Sequence, residues 1–252
     1  MYPTDLTDSR WEVIKSLLND QRKRKYSLRE IFNGIFYINK SGCQWRMLPK
    51  EYPPYSLCFY YYRKWTKDGT WKKLNTRLVR LLRTKSKRKS SPSVGIIDSQ
   101  SIKNSERGVI DKGFDGNKWI QGRKRHIVTD TLGNILSAIV HPANYHDSKG
   151  AYPVLKELKK MNFKRLHTIL ADQAYRGKLV KWAKEQLEWN LKVVHSETSD
   201  EGFKTLPTRW IVERTISWLM WSRRLSKDFE AELDSAESQV YIANLYRCLS
   251  KI

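Results

Sequence analysis

The stretch SVGIIDSQSIK, residues 93–103, runs a β-branched segment into a carboxylate, Asp98. Val94, Ile96 and Ile97, bounded by Ser and Gly, predict a buried strand. Its acid then falls at the carboxyl end, where open α/β sheets hold their ligands. A second apolar run, HTILADQAYRG at 167–177, ends the same way in Asp172. Between them, RHIVTD and ILSAIVH predict two strands joined by the hairpin turn TLGN, and LKVVH at 191–195 predicts a fifth strand. Helices are expected at about 149–160, 177–189 and 208–221. Three antiparallel strands followed by alternating helices and strands describe a mixed α/β layer fold.

If the strands ending in Asp98 and Asp172 are neighbours, their carboxylates emerge side by side. Two such acids repel, and one stays protonated unless a cation sits between them. All-oxygen ligands suit Mg²⁺ or Mn²⁺ together with a substrate phosphate. A third acid comes from LPTRWIVERTISWLMWSRR at 206–224. Pro207 and Thr208 suit a helix start, and Val212, Ile216 and Leu219 make an apolar stripe. Arg209, Glu213 and Ser217 share an adjoining face. Plainer roles exist: each Asp as a cap, Glu213 as an ion-pair partner of Arg209 at ~0.3–0.5 kcal/mol. Spacing alone leaves Glu213 open between the two. Asp111, Asp115, Asp130 and Asp147 fall in loops and turns, and His126 and His146 have no partner spacing.

The charge points the same way. The chain has 48 Lys+Arg against 26 Asp+Glu, a net +22, and residues 1–90 hold 22 basic and only 7 acidic residues. This is the footprint of a surface that meets a polyanion, and nucleic acid fits it best. A membrane is not expected, since no apolar run approaches the ~18 residues of a span. Cys43, Cys58 and Cys248 lack metal-ligand spacing and are expected to be reduced thiols in the cytoplasm.

The first third predicts helices. Thr7 can cap LTDSRWEVIKSLL; Ser27 and Glu30 form a capping box for YSLREIFNGIFYINKSG, with Gly42 at its end. SLCFYYYRKWTKDG and TWKKLNTRLVRLLRTK predict two more helices, on which Arg63, Lys64, Lys72 and Lys73 can meet phosphates. The interleaved Tyr60, Tyr61, Tyr62, Trp65 and Trp71 are, taken singly, more readily core residues. RTKSKRKSSPS predicts a linker. The organisation is therefore a helical DNA-binding domain at 1–82, a basic linker at 83–93 and a catalytic domain at 94–252. The residues by themselves describe a phosphoryl-transfer site joined to a basic helical domain, with two divalent cations about 3.5–4 Å apart flanking a scissile phosphate.

With these blocks in hand, the sequence resembles the bacterial DDE-type insertion-sequence transposases of the group named for insertion sequence five. LREIFNGIFYINKSGCQWRMLPKEYPPYS is similar to that group's amino-terminal domain. IIDSQSIK, GRKRHIVTDTLGNIL, ADQAYRGKLV and RWIVERTISWL…RRLSKDFE resemble its catalytic blocks, in the same order. The resemblance implies a ribonuclease-H-like fold and a metal-binding catalytic triad at Asp98, Asp172 and Glu213, holding two Mg²⁺ or Mn²⁺ ions. It implies hydrolysis at the element's ends to give 3′ hydroxyls, then their attack on target DNA. Terminal inverted repeats would be bound by the amino-terminal domain, in a homodimer or larger synaptic assembly on the bacterial nucleoid. Of the Tyr, Arg, Glu, Lys signature around the last acid, Arg209 and Glu213 are present, whereas Leu206 and Met220 replace the Tyr and Lys. Arg214, Arg223 or Arg224 could grip phosphate instead, and Arg123, Lys124 and Arg125 would hold the DNA backbone beside the site. The alternatives are a catalytically silent DNA-binding repressor or captured domain, and a nuclease that cuts without joining.

Overall fold

The computed structural model describes residues 1–18, 22–105, 109–194 and 208–252. Leu206 and Pro207 lie outside the described residues. Four helices come first: α1 (Asp8–Leu18), α2 (Leu28–Ser41), α3 (Tyr55–Lys67) and α4 (Thr70–Lys85). Their ends follow the sequence. The Ser27 hydroxyl accepts from the Glu30 backbone N–H while the Glu30 carboxylate accepts from that of Ser27, and Gly42 closes α2 in the left-handed region at φ 73°. Removing this cap with Ser27→Ala should lower stability by about 1 kcal/mol in urea denaturation. A shift below about 0.3 kcal/mol would show the box to be idle.

The second part is one six-stranded sheet. It comprises β1 (Val94–Lys103), β2 (Gly113–Asp115), β3 (Ile120–Thr129), β4 (Ile135–Pro142), β5 (Thr168–Ala171) and β6 (Asn190–Val193). The strand order is β4-β3-β1-β5-β6, with β2 pairing the start of β3. β1, β3 and β4 are antiparallel, and β5 and β6 run parallel to β1. This is a ribonuclease-H-like sheet. Helices α5 (Asp147–Lys160) and α6 (Lys178–Leu187) cover one face through Val154, Leu155, Leu158, Leu179 and Ala183, against Ile97, Val128 and Ile169. The other face carries α7 (Trp210–Leu219) over β1 and β5, and α8 (Leu233–Leu249) over β4. No helix among the described residues is long and apolar enough to cross a membrane.

Three features differ from the sequence expectation. β1 does not stop at Asp98 but continues to Lys103, because its pairing with β3 runs on from Asp98↔Ile127 to Lys103↔Gly122. Only its parallel pairing with β5 stops earlier, at Ile96↔Leu170. Secondly, α4 extends through Lys85, into the stretch read as a linker. Arg83 is buried there, its guanidinium 2.6 Å from the Asp130 carboxylate at the β3–β4 turn. Thirdly, α8 has no counterpart in the expected elements. It is buried on nearly every side between the amino-terminal helices and the sheet, so it has no polar face to mark its period. Its polar side chains find partners instead: Asn39 donates to the Gln239 amide oxygen at 2.9 Å, and Asn244 to Asn75 at 2.6 Å. One apolar cluster runs from Phe32, Phe36 and Trp71 through Tyr241 and Leu245 to Ile127 and Ala138. Tyr62, Trp65 and Trp71 belong to that core, while Tyr60 is exposed.

Candidate active site

Strand register brings the first two acids together. Asp98 and Asp172 each stand two residues beyond the last parallel pair, Ile96↔Leu170, so both point to the face on which those residues lie. That face is covered by α7: Ile96 packs on Ile211 and Val212, with Leu170 and Ile216 alongside. Glu213 follows directly on α7, and Arg209 precedes it by one helical turn. The Arg209 guanidinium lies 2.8 Å from the Glu213 carboxylate and 3.9 Å from that of Asp172.

Each strand acid is fixed by one oxygen. Asp98 Oδ1 accepts from the Ser99 backbone N–H at 2.7 Å, and Asp172 Oδ1 accepts from that of Ala174 at 2.9 Å, capping the short turn Gln173–Tyr175. The cap role expected for a lone Asp is therefore present at Asp172 and leaves its second oxygen toward Arg209. Burial pushes the Asp98 carboxyl up to about 6, and the charges of Asp172 and Glu213 add to this, against Arg209 and the Ser99 N–H. The site is short of positive charge. Among the described residues no group of three His, Cys, Asp or Glu side chains is spaced to enclose a metal ion. The Arg209 guanidinium provides the counter-charge between Asp172 and Glu213. The three carboxylates nevertheless feel one another across the same face of the sheet and together offer the all-oxygen donor set of a hard dication, and the raised Asp98 is the group such an ion would relieve.

On the opposite face of β1, beneath Asp98, lies a polar network that the sequence did not reveal. Ser99 donates to Asp147 at 2.9 Å, and Ser101 to Asp115. Lys124 sits between these acids, 2.9 Å from Asp147 and 3.2 Å from Asp115. Beside it His126 Nδ1 and His141 Nε2 are 2.7 Å apart in a stacked pair. Burial, with His141 second, pushes His126 down to about 3, so it stays neutral. His126 is thus a core residue, and His146 caps α5.

The basic residues divide sharply. Arg123, Lys124 and Arg125 do not hold a DNA backbone as expected, because all three are buried. Arg123 pairs with Asp228 and donates to the Glu230 carbonyl, and Arg125 donates to that of Leu225. Arg224 is likewise turned inward, 2.8 Å from Glu230. Lys72 is engaged by Glu157 and Glu237, and Arg63 by Glu232. Lys64, Lys73 and Arg223 remain exposed. Arg214 is half-buried, stacked between Trp210 and Trp218. Met220, at the position of the signature Lys, lies 3.4 Å from the Gln100 amide through its sulfur.

Residues 89–249 match a family model described as transposase DDE domain, and residues 6–75 match one described as transposase of the IS4/5 family. A protein of Burkholderia cepacia, described as the transposase for insertion sequence element IS402, is 32% identical over 119 residues. That match takes in 45% of this chain and 56% of the relative, so the chain spans little more than half the length of the curated relative it matches. Among solved structures, the catalytic domain of Mos1 mariner transposase is 14% identical over 70% of this chain and 91% of that chain, with a TM-score of 0.31. The Mos1 mariner paired end complex with Mn is 11% identical over 97% of this chain and 84% of that chain, with a TM-score of 0.33. The fold assignment rests on the strand order and the family match rather than on these distant likenesses.

Proposed function

Because the chain belongs to the family of DDE transposases, we propose that it moves an insertion element, cutting the element's ends to leave 3′ hydroxyls and joining those to target DNA. The observation that carries this reading is the convergence of Asp98, Asp172 and Glu213 on one face of the sheet, with Arg209 bridging two of them. Asp98, Asp172 and Glu213 would hold divalent cations, two Mg²⁺ or Mn²⁺, which supply activation of the attacking oxygen and stabilisation of the leaving one. The chain's own residues bind and orient. Arg209 sits where a phosphate between the acids would meet its fork of donors, a geometry suited to bidentate phosphate contact. Asp98 and Asp172 are held still by their backbone hydrogen bonds, so the carboxylates are positioned before DNA arrives.

Residues 1–82, with exposed Lys64 and Lys73, form the unit that meets the terminal inverted repeats, and residues 94–252 form the catalytic unit. Pairing of two ends calls for a homodimer or larger synaptic assembly on the bacterial nucleoid. The test is incubation of the protein and Mg²⁺ with duplexes carrying the short inverted repeats that flank its coding sequence. The expected products are 3′-hydroxyl ends and, with target DNA present, covalently joined strands. Tight binding without any product would instead mark a repressor, and cutting without joining a nuclease.

A further inference from the structure

Outside the carboxylate crevice, one cluster of cations has no counter-charge. Arg214 of α7, Arg247 of α8 and Lys251 just beyond α8 surround a single indole ring. Their charged groups lie 4.4, 4.8 and 5.7 Å from the Trp218 ring centre. All three charges therefore fall within about one Debye length of one another, ~10 Å at 0.1 M salt. None of them pairs with a carboxylate among the described residues. Asp130, which acts on Lys251 from a distance, is buried and already paired with Arg83. Burial lowers the proton affinity of Arg214 and Lys251, and the neighbouring Arg247 lowers both further.

The arrangement is built rather than incidental. The Arg214 guanidinium lies between two indoles, 4.3 Å from the Trp210 ring centre on one side and 4.4 Å from that of Trp218 on the other. Contact with both rings restrains the guanidinium and leaves its N–H donors for a ligand. Among the described residues its side chain makes no hydrogen bond, and neither does that of Lys251. Arg247 gives one nitrogen to the Gly133 carbonyl at 2.7 Å and to Asn244 at 2.8 Å, both neutral acceptors. A cation near a helix end is ordinarily explained by the helix dipole. That accounts for Arg247 and Lys251 at the end of α8 but not for Arg214, which comes from another helix.

We propose that Arg214, Arg247 and Lys251 form a second phosphate site around Trp218, which takes a DNA backbone phosphate flanking the strand held at Asp98, Asp172 and Glu213. Arg214 is the residue after Glu213, roughly 100° round the same helix, so one strand can reach both sites. The assignment deepens the transposase reading and rests on it.

The experiment is duplex binding by the full chain, followed by anisotropy of a fluorescein-labelled duplex of arbitrary sequence over a salt series. The variants are Lys251→Gln, Arg214→Gln and the two combined, with Lys251→Arg as control. Each single change should reduce the slope of log affinity against log salt by about 0.9, and the pair by about 1.8. Lys251→Arg should keep the wild-type slope. Unchanged slopes in folded Lys251→Gln and Arg214→Gln proteins would overturn the second site alone, leaving the transposase reading intact. Absence of any duplex binding by the wild-type chain would overturn both together.

Discussion

Asp98→Asn should abolish end cleavage and at the same time make the metal-free protein more stable at neutral pH. The two effects have one cause. Asp98 is half-buried within reach of the charges of Asp172 and Glu213, and burial above all pushes its carboxyl up from the usual 3.8 to about 6. A carboxyl raised on folding contributes stability that is fully present below its unfolded value, near pH 4. That contribution is lost as pH rises through about 6. Asn is neutral throughout, nearly isosteric, and keeps an oxygen to accept the Ser99 N–H. Above pH 6 the variant should gain up to about 3 kcal/mol over the wild type in EDTA, from a shift near two pH units. Urea denaturation at pH 5 and pH 7.5 measures the difference, which should be larger at the higher pH. Cleavage should fall at least about a thousandfold, as expected when several kcal/mol of charge stabilisation is removed. A variant that still cuts, or that is no more stable than wild type at pH 7.5, refutes this account of the crevice.

Arg123→Met should be the most damaging change away from the crevice. Arg123 is fully buried and pairs with Asp228, itself buried. It also donates to the backbone carbonyls of Ile110, Glu230 and Ala231. Removing one partner of a buried pair leaves a charge and several acceptors stranded, typically at about 3–5 kcal/mol. Lys73→Gln, by contrast, should shift stability in urea by no more than about 0.5 kcal/mol, because Lys73 is exposed and donates to the Asp68 carbonyl at the surface. Equal stability of the two variants would contradict the inward assignment of Arg123.

The neighbourhood of Asp98 and Asp172 was legible because its pattern is local. An apolar run closed by Asp on two strands requires only that the strands be neighbours, and the β1–β5 register makes them so. The α2 capping box was legible for the same reason, since both partners lie within four residues. Arg123, Lys124 and Arg125 were misread because their partners are remote in the chain. Three consecutive cations in a strand look like a surface unless Asp228, Asp115 and Asp147 are known to fold over them. The length of β1 failed similarly: Ser99 to Lys103 are polar enough to suggest a loop, but β3 pairs them through the backbone. Helix α8 escaped because periodicity detects a contrast between two faces, and both faces of α8 are interior. The ring of cations about Trp218 joins two distant segments, which no spacing rule connects.

The placement of α8 has a consequence for biosynthesis. The helix that completes the packing of α2, α3 and α4 comes after them, and after the whole sheet, in the order of synthesis. Until it emerges, Phe36, Trp71 and Asn75 lack the surface that seals them. A prematurely ended chain is therefore expected to leave a sticky, unfinished helical cluster for proteases, rather than a working DNA binder that competes with the intact protein.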